Sequence, residues 1–326
     1  MTMPVYFDCD TGIDDALALA YLVAQRHADL RGVGTVSGNV DAAQAARNTL
    51  DLLAVLGRDD VPVAVGEHDF LTHPYDGGAP HVHGANGIGG ARLEPAGRPV
   101  DGRSAAQLLV DLAHEHPGTL RVVAVGPLTN LARALQLEPR LPELISSVTV
   151  MGGAALVPGN VSPVAEANIA NDPEAAQAVV SAGWPVTLVP LDVTMAHVLE
   201  HEHLQRLEDA EQEAPRLLAS MLGHYFEFYR DIFGRACSAM HDPLAVAVAL
   251  GTAVADAAPR VPVVVDTGDG PGRGQTICDL RGRYRGLADH PEATCRVVLG
   301  IRSDFAEDLT RALTAPAPAA AAGVSA

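Results

Sequence analysis

The chain has 326 residues, is 48% hydrophobic with few aromatics, and carries a formal net charge of -18. So acidic a surface repels nucleic acid and anionic lipid, and neither is expected as a partner. All 22 basic residues are arginine, which excludes a Schiff-base lysine and the lysine of a phosphate-binding P-loop.

Taken in chain order, "PVYFDCD" reads as a strand and "DDALALAYLV" as a helix whose first turn holds Asp14 and Asp15, where acids suit the helix dipole. "LRGVGTVSG" is a strand, the stretch 41–57 a helix stopped by Gly57, and "VPVAVG" a strand. Residues 67–100, rich in Gly, Pro and His, predict a long loop, functional or disordered. A helix over 101–116, the strand "LRVVAVG", the helix "LTNLARALQL" and the strand "ISSVTVMGG" follow. "DPEAAQAVVSAG" reads as a helix and "PVTLVPLD" as a strand. Residues 198–236 read as amphipathic helix and "HDPLAVAVAL" as a buried one. "RVPVVVD", "QTICDL" and "TCRVVLG" read as late strands before a last helix.

This alternation predicts an α/β fold: one domain over 1–314 with a mostly parallel, doubly wound, Rossmann-like sheet and helices on both faces. The Ala/Pro tail 315–326 is expected to be disordered. Cys9, Cys237, Cys278 and Cys295 form no C-x-x-C pair, which predicts reduced thiols in a cytoplasmic protein and gives zinc no support. The N-terminus shows no leader pattern and no apolar run reaches membrane-spanning length uninterrupted.

Ligands of such sheets bind at the carboxyl ends of the strands. Asp8 and Asp10, Ser37 to Asn39, Val125 and Gly126, Met151 to Gly153, and Asp192 all fall at those ends. Four carboxylates crowded into "FDCDTGIDD" need a compensating cation, and oxygen ligands select Ca²⁺ or Mg²⁺. Asp10, Asp15 and Asp242 of "MHDPL" form a reasonable set, with Asp242 expected at a cap-like position beside Pro243. Singly, Asp14, Asp15 and Asp242 read as ordinary helix-start acids; the cluster does not. The D-x-D also resembles that of haloacid-dehalogenase-type Mg²⁺ phosphohydrolases. That reading leaves Asp14 and Asp15 unexplained, and the chain lacks the lysine that family usually, with arginine as an occasional substitute, places on the phosphoryl group.

"DCDTGIDDALAL" resembles the D-x-D-x-x-x-D-D signature of the nucleoside hydrolases, in particular the inosine/uridine-preferring N-ribohydrolases. "VSGNV", "GPLTNLA", "MGGA", "GNVSPVAEANIANDPEAA" and "HDPLAV" follow in the order of that family, over roughly the first 250 residues. The resemblance implies Ca²⁺ held by Asp10, Asp15, Asp242 and the Val125 carbonyl. It implies Asp10 as the base that takes a proton from a water on the ion, and an oxocarbenium-like ribose. Asn168 and Asp14 would hold the 2′- and 3′-hydroxyls, with Asn39 nearby. Asn160 and Glu166 would hold the 5′-hydroxyl, and Met151 would line the ribose pocket. His241 would assist the leaving base, His83 would contact it, and Tyr225 and Tyr229, at i and i+4, either close over it or pack as core aromatics. Asp8 is expected to brace the turn.

His81 and His83 alternate faces if extended, which argues against a metal pair, and His201 and His203 are expected on a solvated helix surface. Thr11 stands where the family usually has Pro, Cys9 where Thr is common, and Ala167 where some relatives carry an aromatic. His241 and the loop lean towards an inosine/uridine- or pyrimidine-preferring member. The family also implies a homo-oligomer, a dimer or tetramer. The remaining rival is a non-catalytic Ca²⁺-dependent nucleoside or ribose binder.

Overall fold

The computed structural model describes residues 2–315. The Ala/Pro tail, apart from its first residue, lies outside the described residues. The first strand, β1 (Met3–Cys9), is followed by α1 (Ile13–Ala24), β2 (Ala28–Thr35), α2 (Ala42–Val55) and β3 (Val63–Val65). After the long loop come β4 (Leu120–Ala124), β5 (Ile145–Met151) and β6 (Val186–Val189). With the late strand Cys295–Val297 they form one seven-stranded sheet, in the order Cys295–Val297, β6, β5, β4, β1, β2, β3. Every pairing in it is parallel.

Parallel strands are covered on both faces, which explains their continuous apolar runs. Alternate residues of β1 enter opposite cores. Val5, Phe7 and Cys9 pack with α1 and the His241–Leu250 helix, whereas Tyr6 packs with the Ala105–Glu115 side. The strand order reverses between β1 and β4, which pair from Val5↔Arg121 to Asp8↔Ala124. At such a switch point the loops leaving the two strands diverge and open a crevice. The residues after β1 and β4 are Asp10 to Gly12 and Val125 to Gly126, so the acid-rich turn stands at the mouth of that crevice.

Several predicted elements shift. The helix expected over 101–116 starts at Ala105, because Ser104 caps it through the Gln107 N–H; Asp101 instead bridges to Ala64 at the sheet edge. The helical region 198–236 is a short strand (Val198–Leu199) and two helices, His201–Glu208 and Glu213–Phe233. The interrupting stretch 209–212, DAEQ, offers only small and polar side chains to the core. His203 is buried and its Nδ1 accepts the Glu200 N–H at 3.0 Å, so it caps its helix and is not a solvated residue. Among the described residues no helix is long and apolar enough to cross a membrane.

Candidate active site

The turn Asp10–Thr11–Gly12 joins β1 to α1, and backbone amides and carboxylates organise it together. Asp15 Oδ2 accepts the Gly12 N–H at 2.7 Å, capping α1 from its third residue, and Asp15 Oδ1 accepts the Asp10 N–H at 3.1 Å. Asp10 accepts the Asn39 backbone N–H at 2.7 Å and its side-chain amide at 3.2 Å; the same amide reaches Asp15 Oδ2 at 3.2 Å. Gly38 makes this approach possible, since a Cβ there would lie 2.0 Å from Asp10 Oδ2.

The three carboxylates whose oxygens lie within 4.8 Å of one another are Asp14, Asp15 and Asp242, all buried. Sequence reasoning grouped Asp10 with Asp15 and Asp242; the fold adds Asp14, and Asp10 touches the group through its N–H on Asp15 Oδ1. Asp242 comes from the second residue of the His241–Leu250 helix, whose cap position is Met240, so it is a first-turn residue and not the cap. Burial pushes Asp15 up to about 7. Burial, then the neighbouring carboxylates, raises Asp10 and Asp242 well above the ordinary range. At 4.8 Å and an effective dielectric of about 20, each charged pair repels by roughly 3 kcal/mol. Among the described residues no arginine lines the adjoining cavity to offset this. Asp14 Oδ1 is buried without a hydrogen-bond partner. Oxygen-only donors and mutual repulsion fit a hard divalent cation.

Above the acids lies a cavity of about 740 Å³. Every metal, substrate or base-contacting residue implied by the family resemblance lines it except Asp10 and Asp15. Asn168 spends its amide N–H groups on the Val125 and Met151 carbonyls, at 2.8 and 3.1 Å. What it can offer a ligand is Oδ1, an acceptor suited to a hydroxyl. Asn160 Oδ1 takes the Ala167 N–H at 3.0 Å, which leaves its amide N–H groups. Glu166 caps the Ala167–Asn171 helix and accepts three backbone N–H groups, from Asn168, Ile169 and Gly153. Burial still outweighs these bonds and pushes it up to about 7. Asp8 points to the other face, held by Tyr6 at 2.9 Å and by Asn130, and burial pushes it up to about 7 as well.

His83 sits in a short helix, α3 (Pro80–His83), inside the long loop. The loop is therefore not extended there, and His81 and His83 both line the cavity. His83 Nδ1 accepts the Ile13 N–H at 3.1 Å, and burial pushes the ring down to about 3, so it is neutral with its proton on Nε2. His241 contacts hydroxyls through both nitrogens: Tyr229 Oη at 2.6 Å from Nε2 and Thr194 Oγ1 at 2.8 Å from Nδ1. Burial lowers its pKa, leaving a neutral imidazole. Tyr225 and Tyr229 share one face of the Glu213–Phe233 helix with Phe228 and Ile232, and all four line the cavity.

Sequence reasoning missed the apolar outer wall, which includes Val82, Val157, Met195 and Phe228, and it missed Thr194 behind His241. The spacing of Tyr225, Phe228, Tyr229 and Ile232 was a usable helical signal. The loop residues carried none. Asp192, noted only as a strand-end residue, accepts the Ala155 and Leu156 N–H groups, both at 2.8 Å, and so anchors the loop bearing Val157 and Asn160. Cys9 and Thr11, the residues at odds with the family pattern, join Thr49 in a buried polar contact, with Thr11 Oγ1 2.7 Å from Thr49 Oγ1. Thr11 thereby ties the turn to α2.

The profile of the inosine-uridine preferring nucleoside hydrolases matches residues 5–308. An inosine-uridine preferring nucleoside hydrolase of Crithidia fasciculata is 33% identical over 307 residues, covering 94% of each chain. A probable uridine nucleosidase of Arabidopsis thaliana is 36% identical over 247 residues, 75% of this chain and 76% of its own. The structure of a purine-preferring ribonucleoside hydrolase from Gardnerella vaginalis superposes with a TM-score of 0.87 at 31% identity, covering 95% of this chain and 98% of its own.

Proposed function

This chain belongs to the inosine-uridine preferring nucleoside hydrolases and is a ribonucleoside hydrolase, and from that premise we propose how its own residues hold the substrate and cleave it. The observation that carries the reading is the buried Asp14, Asp15 and Asp242 group at the floor of a cavity with no arginine among its described lining residues. Asp15, Asp242, Asp10 and the Val125 carbonyl would hold Ca²⁺, an ion whose preference for oxygen donors suits this set. When bound, the ion lowers the cost of deprotonating water and orients the ribose.

Asp10 accepts the proton of the attacking water at its carboxylate. The Asn39 N–H groups keep that carboxylate in place. Asn168 Oδ1 and Asp14 accept hydrogen bonds from the 2′- and 3′-hydroxyls, which strengthen as positive charge grows on the ribose. Asn160 donates towards the 5′-hydroxyl with Glu166 beside it. Met151 lines the ribose pocket, and Tyr229 and His83 face the base. His241 assists the departing base next to Tyr229, whose hydroxyl shares its Nε2.

The relatives are named for uridine, inosine and purine nucleosides. The cavity lining as a whole is predominantly apolar, which favours shape over a fixed hydrogen-bond code for the base. A haloacid-dehalogenase-type phosphohydrolase would need a lysine or arginine side chain for the phosphoryl group, and neither is among the described lining residues of the cavity. The test is ribose release from uridine, cytidine, inosine and adenosine, with 2′-deoxyuridine alongside. Turnover of ribonucleosides with weak turnover of 2′-deoxyuridine is expected; equal rates for uridine and 2′-deoxyuridine contradict the ribose contacts.

A further inference from the structure

The sequence leaves Tyr225 either closing over the base or packing as a core aromatic, but its hydroxyl is turned elsewhere. Tyr225 Oη donates to Asp14 Oδ2 at 3.0 Å, across 211 residues of chain, and both groups are buried. Among the described residues this is the side-chain hydrogen bond Asp14 receives. The nearest alternative is His83, whose Nδ1 lies 3.8 Å from Asp14 Oδ1. That nitrogen already accepts the Ile13 N–H, so it has no proton to give. Asp14 Oδ1 is left buried and unpartnered beside the cavity.

The geometry points to Tyr225 as the positioning residue for Asp14: by holding Oδ2 it fixes the carboxylate so that Oδ1 presents an open acceptor to a ribose hydroxyl. This rests on the reading of Asp14 as a ribose-binding group. Two features support it beyond the bond itself. The Tyr225 ring is wedged between His83 (5.3 Å between centroids), Tyr229 (4.9 Å) and Phe228 (6.5 Å), so its hydroxyl is pre-aimed and costs little entropy on binding. Tyr225 also lies on the helix whose Phe228, Tyr229 and Ile232 line the cavity, so one helix carries both cavity wall and the residue that holds Asp14.

Tyr225→Phe removes one oxygen and keeps the ring packing, so the variant is expected to fold with a melting temperature near that of the wild type. A double-mutant cycle with Asp14→Asn tests the proposal, using p-nitrophenyl β-D-riboside so that slow variants remain measurable. Tyr225→Phe should lower kcat/KM on the order of tenfold to a hundredfold, the range of a hydrogen bond to a charged group. In the Asp14→Asn background the same change should cost under about threefold. Equal losses in both backgrounds, or no loss in either, overturn the proposal and leave Tyr225 a packing residue. Full activity of Asp14→Asn alone is a different failure: it removes Asp14 from the ribose site, and the role of Tyr225 with it.

Discussion

Gly12→Ala tests how tightly the acid turn is built. The backbone at Gly12 is extended, with φ -86 and ψ -165, so alanine adopts it without strain. The effect is therefore purely steric. A Cβ would sit 2.6 Å from Asn39 Nδ2, 2.6 Å from His83 Nδ1 and 2.8 Å from His83 Cε1. Comfortable contacts lie at about 3.5–4.0 Å, so each neighbour is about 1 Å too close. Overpacking of this kind costs about 1–3 kcal/mol. The catalytic cost is larger, because the atoms that must move are the Asn39 amide holding Asp10 and Asp15 and the nitrogen that accepts the Ile13 N–H. A misplacement of about 1 Å at such a site costs on the order of a hundredfold in rate. The assay is kcat/KM for uridine by ribose release, with urea unfolding in parallel. Gly223→Ala is the control: it lies in the Glu213–Phe233 helix with nothing within 4 Å of the new Cβ, so activity should hold and stability rise by about 0.5–1 kcal/mol. Gly12→Ala activity within about threefold of wild type would refute the idea that this contact aims the acids.

Asp10→Ala should abolish turnover in a protein that still unfolds cooperatively; near-wild-type rates would remove Asp10 as the base. Glu166 has a folded pKa raised to about 7 against an ordinary 4.5. Its contribution to stability is therefore full below about 4.5 and is lost as pH rises through 7. The stability of the wild type minus that of Glu166→Gln should shrink by on the order of 3 kcal/mol from the acid to the alkaline side of that window. A difference that widens with pH, measured by urea unfolding, would mean that the three N–H bonds outweigh burial.

The alternation of buried runs and helical stretches made the parallel sheet legible, because strands covered on both faces cannot hide their apolar continuity. Strand order was not legible, since the reversal between β1 and β4 is set by long-range packing. The acid turn stood out because carboxylates at the end of a buried strand make no sense without a partner. Which three acids converge was harder. Asp14 and Asp15 are adjacent on a helix and point about 100° apart, so only the fold shows that both reach Asp242. Tyr225 shows the same limit: its spacing marked a helical face, but nothing local tied its hydroxyl to Asp14. His203 read as solvated because a lone His pair carries no burial signal, yet a capping bond holds it inside.

If the buried carboxylates hold a divalent cation that the reaction requires, removing the ion must stop turnover. The direct measurement is ribose release from uridine by protein stripped of metal with a chelator, then titrated with Ca²⁺. Activity should vanish on stripping and return with Ca²⁺ in wild type, and should not return in Asp242→Ala. Undiminished turnover by demonstrably metal-free protein would contradict the account.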